Sequence, residues 1–186
     1  MRRSRQDAAD TRTKIVEAAS RLFRSRGIGA VSVADIMSSL GLTVGGFYRH
    51  FASKEALVVE AIESASRETA ARQSTLDDYL STLHCEHPEQ GCPVAALCSE
   101  VAHQGRTTRQ AFTVALERLL AGVDDATADD SPERRKTVLA TAATLVGAVV
   151  LARASSNGVL AGEILGAARD QLAGDDEHRK KQRRRN

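Results

Sequence analysis

Residues 32–51 read Ser32-Val33-Ala34-Asp35-Ile36-Met37-Ser38-Ser39-Leu40-Gly41-Leu42-Thr43-Val44-Gly45-Gly46-Phe47-Tyr48-Arg49-His50-Phe51. Val33, Ile36, Met37 and Leu40 follow the i, i+3, i+4, i+7 spacing of one helix face. Ser32, with Asp35 three residues on, has the form of a capping box that opens this helix. Gly41 ends it, and Thr43 is placed to cap a second helix over 43–50, with Phe47 and Phe51 turned inward. Two short helices joined by Gly41-Leu42-Thr43 make a helix-turn-helix, because glycine permits the backbone angle that swings one helix across the other.

The surface of the second helix is small. A glycine costs a helix about 1 kcal/mol relative to alanine, so the Gly45-Gly46 pair makes sense where backbone must come close to something outside the chain. A short helix exposed at its N-terminal end fits the major groove of B-form DNA. Around the glycines stand Tyr48, Arg49, His50 and Lys54, whose hydroxyl, guanidinium, imidazole and ammonium groups can donate to phosphates. Lys54 opens the next helix, where backbone N–H groups also favour an anion.

Working outward, charge singles out the same region. Residues 1–54 carry ten Lys/Arg against four Asp/Glu, residues 55–170 ten against 17, and residues 171–186 six against three. A basic head on an acidic body suggests that the head meets a polyanion. Aromatic residues are 3% of the 186 and there is no Trp, which argues against a fold built on stacked aromatics.

The remaining pattern is helical, with no strand periodicity. Ile15, Ala18, Ala19, Leu22 and Phe23 form the face of a first helix that Gly27 stops. Ser53 caps a fourth helix with Leu57, Val58, Ala61, Ile62 and Ala65 on one side. Ser74 and Asp77 are placed to cap a fifth through Leu83. Residues 84–92 read as a polar loop, Pro93 as a first helical position, 124–130 as an acidic loop, and 131–155 and 159–173 as two long helices separated by Asn157-Gly158. The reading is all-α with about nine helices. A helix-turn-helix domain spans 1–53 and a ligand-binding and dimerisation domain spans 54–173. The basic tail over 174–186 has no apolar residue and is expected to be disordered.

The runs 15–23, 33–36, 41–51 and 53–57, with Gly27 between the first two, resemble the DNA-binding domain of the TetR family of repressors over about residues 10–65. The resemblance implies three helices and a fourth that links to a regulatory domain. Val44, Gly45, Gly46 and Arg49 would then face bases or nearby backbone. Tyr48, His50 and Lys54 would hold phosphates, as would Ser32, and Thr43 belongs to the same surface. It further implies a homodimer seam over 131–155 and 159–173, near Val149, and a near-palindromic double-stranded DNA operator. Release would be by a small-molecule effector.

Other features admit other readings. His84, Cys85, His87 and Cys92 lie close together, but their spacing is no recognised zinc finger, so neither a metal nor a cofactor is expected. Cys92 precedes a helix N-terminus, which favours thiolate, so a redox or electrophile sensor is the alternative regulator. An all-helical enzyme pairing Cys92 with His103 lacks an orienting third group. The body has two aromatics, Tyr79 and Phe112, so an effector pocket would be mostly aliphatic, with Leu83, Cys92, Leu97, His103 and Phe112 as candidate lining. The three cysteines make a full disulfide framework improbable. The apolar run 145–151 is far short of the roughly 20 residues of a membrane span. A cytoplasmic protein without a membrane partner is expected.

Overall fold

The computed structural model describes residues 2–72, 75–123 and 131–183. It is all-helical among those residues: α1 (Arg2–Arg26), α2 (Val33–Ser39), α3 (Val44–Phe47), α4 (Lys54–Arg72), α5 (Leu76–Tyr79), α6 (Thr82–Glu86), a 3-10 turn (Pro88–Gln90), α7 (Pro93–Val101), α8 (Arg106–Val123), α9 (Pro132–Ala154) and α10 (Gly158–Arg183). The chain divides into two compact units, Met1–Ala71 with His87–Arg118, and Arg72–Glu86 with Leu119–Asn186. Compactness therefore does not divide the chain where charge and motif suggest, near residue 53.

In the first unit, α1 packs on α2, α7 and the 3-10 turn, and α2 packs on α3. The core holds Ile15, Ala19, Phe23, Ile36, Met37, Phe47, Leu57, Ile62 and Leu97, which are the apolar stripes of the sequence reading. Phe47 and Phe51 stack at 5.4 Å, and the Arg12 guanidinium lies 4.5 Å from the Phe51 centroid. Both terminal nitrogens of Arg12 donate to Glu60 at 2.5 Å, a two-pronged link that ties α1 to α4. Arg24 is buried in this unit. Its Nη1 donates to Gly91 O at 2.8 Å and its Nη2 to Glu68 at 2.9 Å. The Thr69 hydroxyl donates to the same Gly91 carbonyl at 3.1 Å.

In the second unit α9 packs along α10 and α6 lies on α9. Val138, Ala142, Leu145, Ala148, Val149 and Ala152 face inward. Val149 is fully buried within the protomer, so it belongs to this unit's own core and not to a seam. The exposed apolar side chains of these helices are Leu139, Leu151, Val159 and Leu160. By length and composition alone, α9 is a helix that could cross a membrane, with a mean hydropathy of 1.8 over its most apolar window. The apolar stretch is longer than the run over 145–151, because Val138, Leu139 and the alanines around that run extend it.

Several boundaries differ from the sequence reading. Ten α-helices are present among the described residues, since the fifth helix breaks in two. Thr75 and Asp78 form its capping box, one residue beyond the Ser74 and Asp77 suggested above; Ser74 itself lies outside the described residues. Ser81 then accepts from His84 N at 3.1 Å and opens α6. The region 84–92 is thus largely helical and not an open loop. His84 is buried with its ring nitrogen 2.6 Å from Tyr79 O. The acidic stretch 124–130 lies outside the described residues. Past Gly174, α10 continues to Arg183, where disorder was expected. The sequence sets Asp175, Asp176 and Glu177 each four residues ahead of a basic residue, a spacing that supports a helix without an apolar stripe.

Candidate nucleic-acid interface

The helix-turn-helix is built from its caps inward. The Ser32 hydroxyl accepts from Asp35 N at 3.1 Å, while Asp35 Oδ2 takes the Ser32 amide at 2.7 Å and its hydroxyl at 2.5 Å. These bonds, the hydroxyl's first, hold the Asp35 carboxyl below the usual carboxylate range. Both Ser32 donors are therefore spent on Asp35, and the hydroxyl must rotate away before it can reach a phosphate. Gly41, at φ +67°, makes the turn, and Leu42 N donates back to Met37 O at 2.9 Å. Thr43 is the N-cap of α3, but its side chain makes no capping bond.

The third helix is one turn, Val44–Phe47, shorter than the 43–50 expected. Only Phe47 of this turn is buried, and it anchors α3, which packs on α2. Val44 is 44% exposed and Tyr48 is 66% exposed, with Tyr48 edge-on to Phe47 at 5.2 Å. Thr43, Gly45 and Arg49 are exposed, while Gly46 and His50 are half-buried. Leu42, on the turn, joins this surface as an exposed apolar side chain. The sequence reading passed over it because a leucine between two helices reads as core.

Neither glycine of α3 is demanded by the protein itself. A Cβ at Gly45 would meet nothing within 4 Å, and one at Gly46 would sit in ordinary contact with Met37 at 3.7 Å and Thr43 at 3.8 Å. Neither has a positive φ. Alanine would fit both sites and strengthen the helix.

Lys54 is less free than the sequence suggested. Its Nζ donates to Ile28 O at 2.6 Å and lies 5.9 Å from the Phe23 centroid. Two of its three protons remain for another acceptor. Ser53 caps α4 as expected, accepting from Ala56 N at 3.1 Å.

The candidate effector-lining residues are drawn from both compact units. Leu83 belongs to the second unit and is exposed. The other four belong to the first unit, where Cys92 and Leu97 are buried, Phe112 is half-buried and His103 is exposed. Cys85, Cys92 and Cys98 form no disulfide. Among the described residues no three of His, Cys, Asp and Glu gather for a metal. In the sequence cluster, His84 turns to Tyr79 O and His87 to Glu89.

Residues 15–61 match the family model described as bacterial regulatory proteins, tetR family. The chain is 37% identical over 87 residues to the HTH-type transcriptional regulator TtgR of Pseudomonas putida, covering 46% of this chain and 41% of that one. It is 30% identical over 164 residues to an uncharacterized HTH-type transcriptional regulator of Mycobacterium tuberculosis, covering 76% of this chain and 84% of the relative. The chain belongs to the TetR family. A solved TetR transcriptional regulator from Chloroflexus aurantiacus shares its fold at a TM-score of 0.73 and 27% identity, over 91% of this chain and 95% of that one. The TetR family comprises transcriptional regulators and not enzymes. The alignment reaches only about two fifths of the length of the Pseudomonas relatives.

Proposed function

We propose that this TetR-family chain is a homodimeric transcriptional repressor that binds a near-palindromic operator through α2 and α3 and leaves it when a small-molecule effector binds. The observation that carries the reading is the exposed turn of α3. Val44, Gly45, Tyr48 and Arg49 face outward from a helix anchored by a single buried side chain, and two glycines keep its backbone bare. Arg49 and the two remaining protons of Lys54 supply charge for phosphates, and Tyr48 a neutral donor. The exposed Leu139, Leu151, Val159 and Leu160 of α9 and α10 supply an apolar surface for a second copy. A protein so built works in the compartment that holds the DNA, the bacterial cytoplasm.

The test is binding to duplex DNA as salt is raised. The expected result is a log–log slope of several ions released, with Arg49→Ala weakening binding. A wild-type protein that binds no duplex, or binds with no salt dependence, contradicts the reading.

One observation favours the thiol-sensing alternative. Arg24 and Cys92 interact electrostatically, and Cys92 is buried. Loss of DNA binding on alkylation of the wild type, but not of Cys92→Ser, would establish it; unchanged binding after complete alkylation of Cys92 would exclude it.

A further inference from the structure

The loop from Gly27 to Val31 joins α1 to α2 and so sets where the helix-turn-helix begins. Gly27 turns the chain at φ +87°, its N–H donating to Phe23 O at 2.8 Å. Ile28 and Val31 are buried, and Ser32, the N-cap of α2, follows at once. Two side chains from distant sequence grip this loop. Lys54, at the start of α4, donates to Ile28 O at 2.6 Å. Glu100, on α7, accepts the Gly29 N–H at 3.0 Å. The same carboxylate fills the space where a side chain at Gly27 would stand, its carbon 2.8 Å from the Cβ position. The loop that follows α7 meets α4 as well, since the Cβ position of Gly105, just before α8, lies 3.1 Å from Glu55 Oε1.

We infer that Glu100 is a positioning residue that couples α7 to the DNA-binding head through the Gly27–Gly29 backbone. The inference rests on the DNA-binding reading above. A carboxylate near the C-terminal end of α1 is unfavourable towards the helix dipole, so it is poorly placed merely to stabilise α1. Its use is geometric: its two oxygens span Gly27 and Gly29, and no other residue type of that length brings a charged two-oxygen acceptor. Whatever moves α7 moves the start of α2 with it. By reciprocity, holding α2 on DNA must quieten α7.

The experiment is hydrogen exchange by mass spectrometry on the full chain, with and without a duplex of about 30 base pairs recovered by selection from genomic DNA. Wild type, Glu100→Ala and Glu100→Gln are compared. Gly29→Ala serves as a control that keeps the N–H and has room for a methyl, 3.7 Å from Glu100. Without DNA, Glu100→Ala should speed exchange at Gly29 by about tenfold, the scale of a lost hydrogen bond to a charged group. With DNA, the peptide over 93–104 should slow in wild type, in Gly29→Ala and in Glu100→Gln, whose amide oxygen still accepts, but not in Glu100→Ala. Operator affinity should fall about tenfold in Glu100→Ala, with affinity for random duplex within about twofold of wild type. A merely structural Glu100 would leave the DNA-induced slowing of α7 intact in Glu100→Ala, and that outcome overturns the inference. So does DNA binding by wild type with no slowing over 93–104. If wild type binds no duplex at all, the DNA-binding reading itself fails and the coupling fails with it.

Discussion

Gly45→Ala separates what α3 needs as a helix from what it needs as a contact. The Cβ of the new residue meets nothing within 4 Å on the protein side, and the backbone there is not left-handed. The substitution therefore adds helix propensity and removes unfolded-state freedom without strain, a gain of about 0.4–1 kcal/mol. For a chain of this size, that raises the melting temperature by about 1–4 °C. If the glycine is kept for close approach to DNA, the same methyl intrudes on the duplex, and operator affinity should fall about tenfold or more, equivalent to about 1.4 kcal/mol. Scanning calorimetry and fluorescence anisotropy with the selected operator measure the two effects on the same preparation. The opposite signs are the signature. A variant that is both more stable and equally tight on operator would refute the argument that the bare backbone faces DNA, and one less stable would refute the geometry of α3.

Lys54→Ala should weaken operator and random duplex alike, flatten the salt slope by about one, and cost about 1 kcal/mol of stability through the lost bond to Ile28 O; an unchanged slope in salt titration would show that Lys54 serves the fold alone. Leu151→Asp, at a side chain 59% exposed, should leave the protomer folded by circular dichroism yet monomeric by analytical ultracentrifugation and without operator binding; a dimer of full affinity would move the seam elsewhere. His84 is 4% exposed, and burial pushes its pKa down from 6.5 to about 4. The unfolded chain takes up its proton first, so this contribution to stability is intact above pH 6.5. It is lost as pH falls towards 4, on the order of 3 kcal/mol in all. Urea unfolding at pH 7 and pH 5 should show the loss in wild type and much less of it in His84→Gln, and an equal loss in both would assign the acid sensitivity to other groups.

The head was legible because its signals are local. Ser32 and Asp35 cap α2 within three residues, Gly27 and Gly41 stop helices where the backbone turns left-handed, and the apolar stripe from Ile15 to Phe23 fixes the buried face of α1. What sequence reading missed depends on residues far apart. That Lys54 donates to Ile28 O and that Glu100 accepts from Gly29 N cannot be read from spacing, since 26 and 71 residues separate the partners. Spacing is equally silent about an effector site. Leu97 and Phe112 satisfy helical periodicity, but periodicity names the buried face without saying what it packs on. Val149 sits in the protomer core although its helix was read as a seam, because a helix with small residues all round leaves open which face meets which neighbour. The extension of α10 to Arg183 escaped a reading based on apolar residues, since only charge spacing marks it.

The most direct test of the central claim is footprinting of the full-length protein on a genomic fragment it selects, with its oligomeric state measured in parallel. The account predicts a near-palindromic site protected on both halves by a dimer, with half-site centres about 34 Å apart or a multiple of that spacing. A monomer that protects a single half-site with the same affinity, or protection without any repeated half-site, would contradict it.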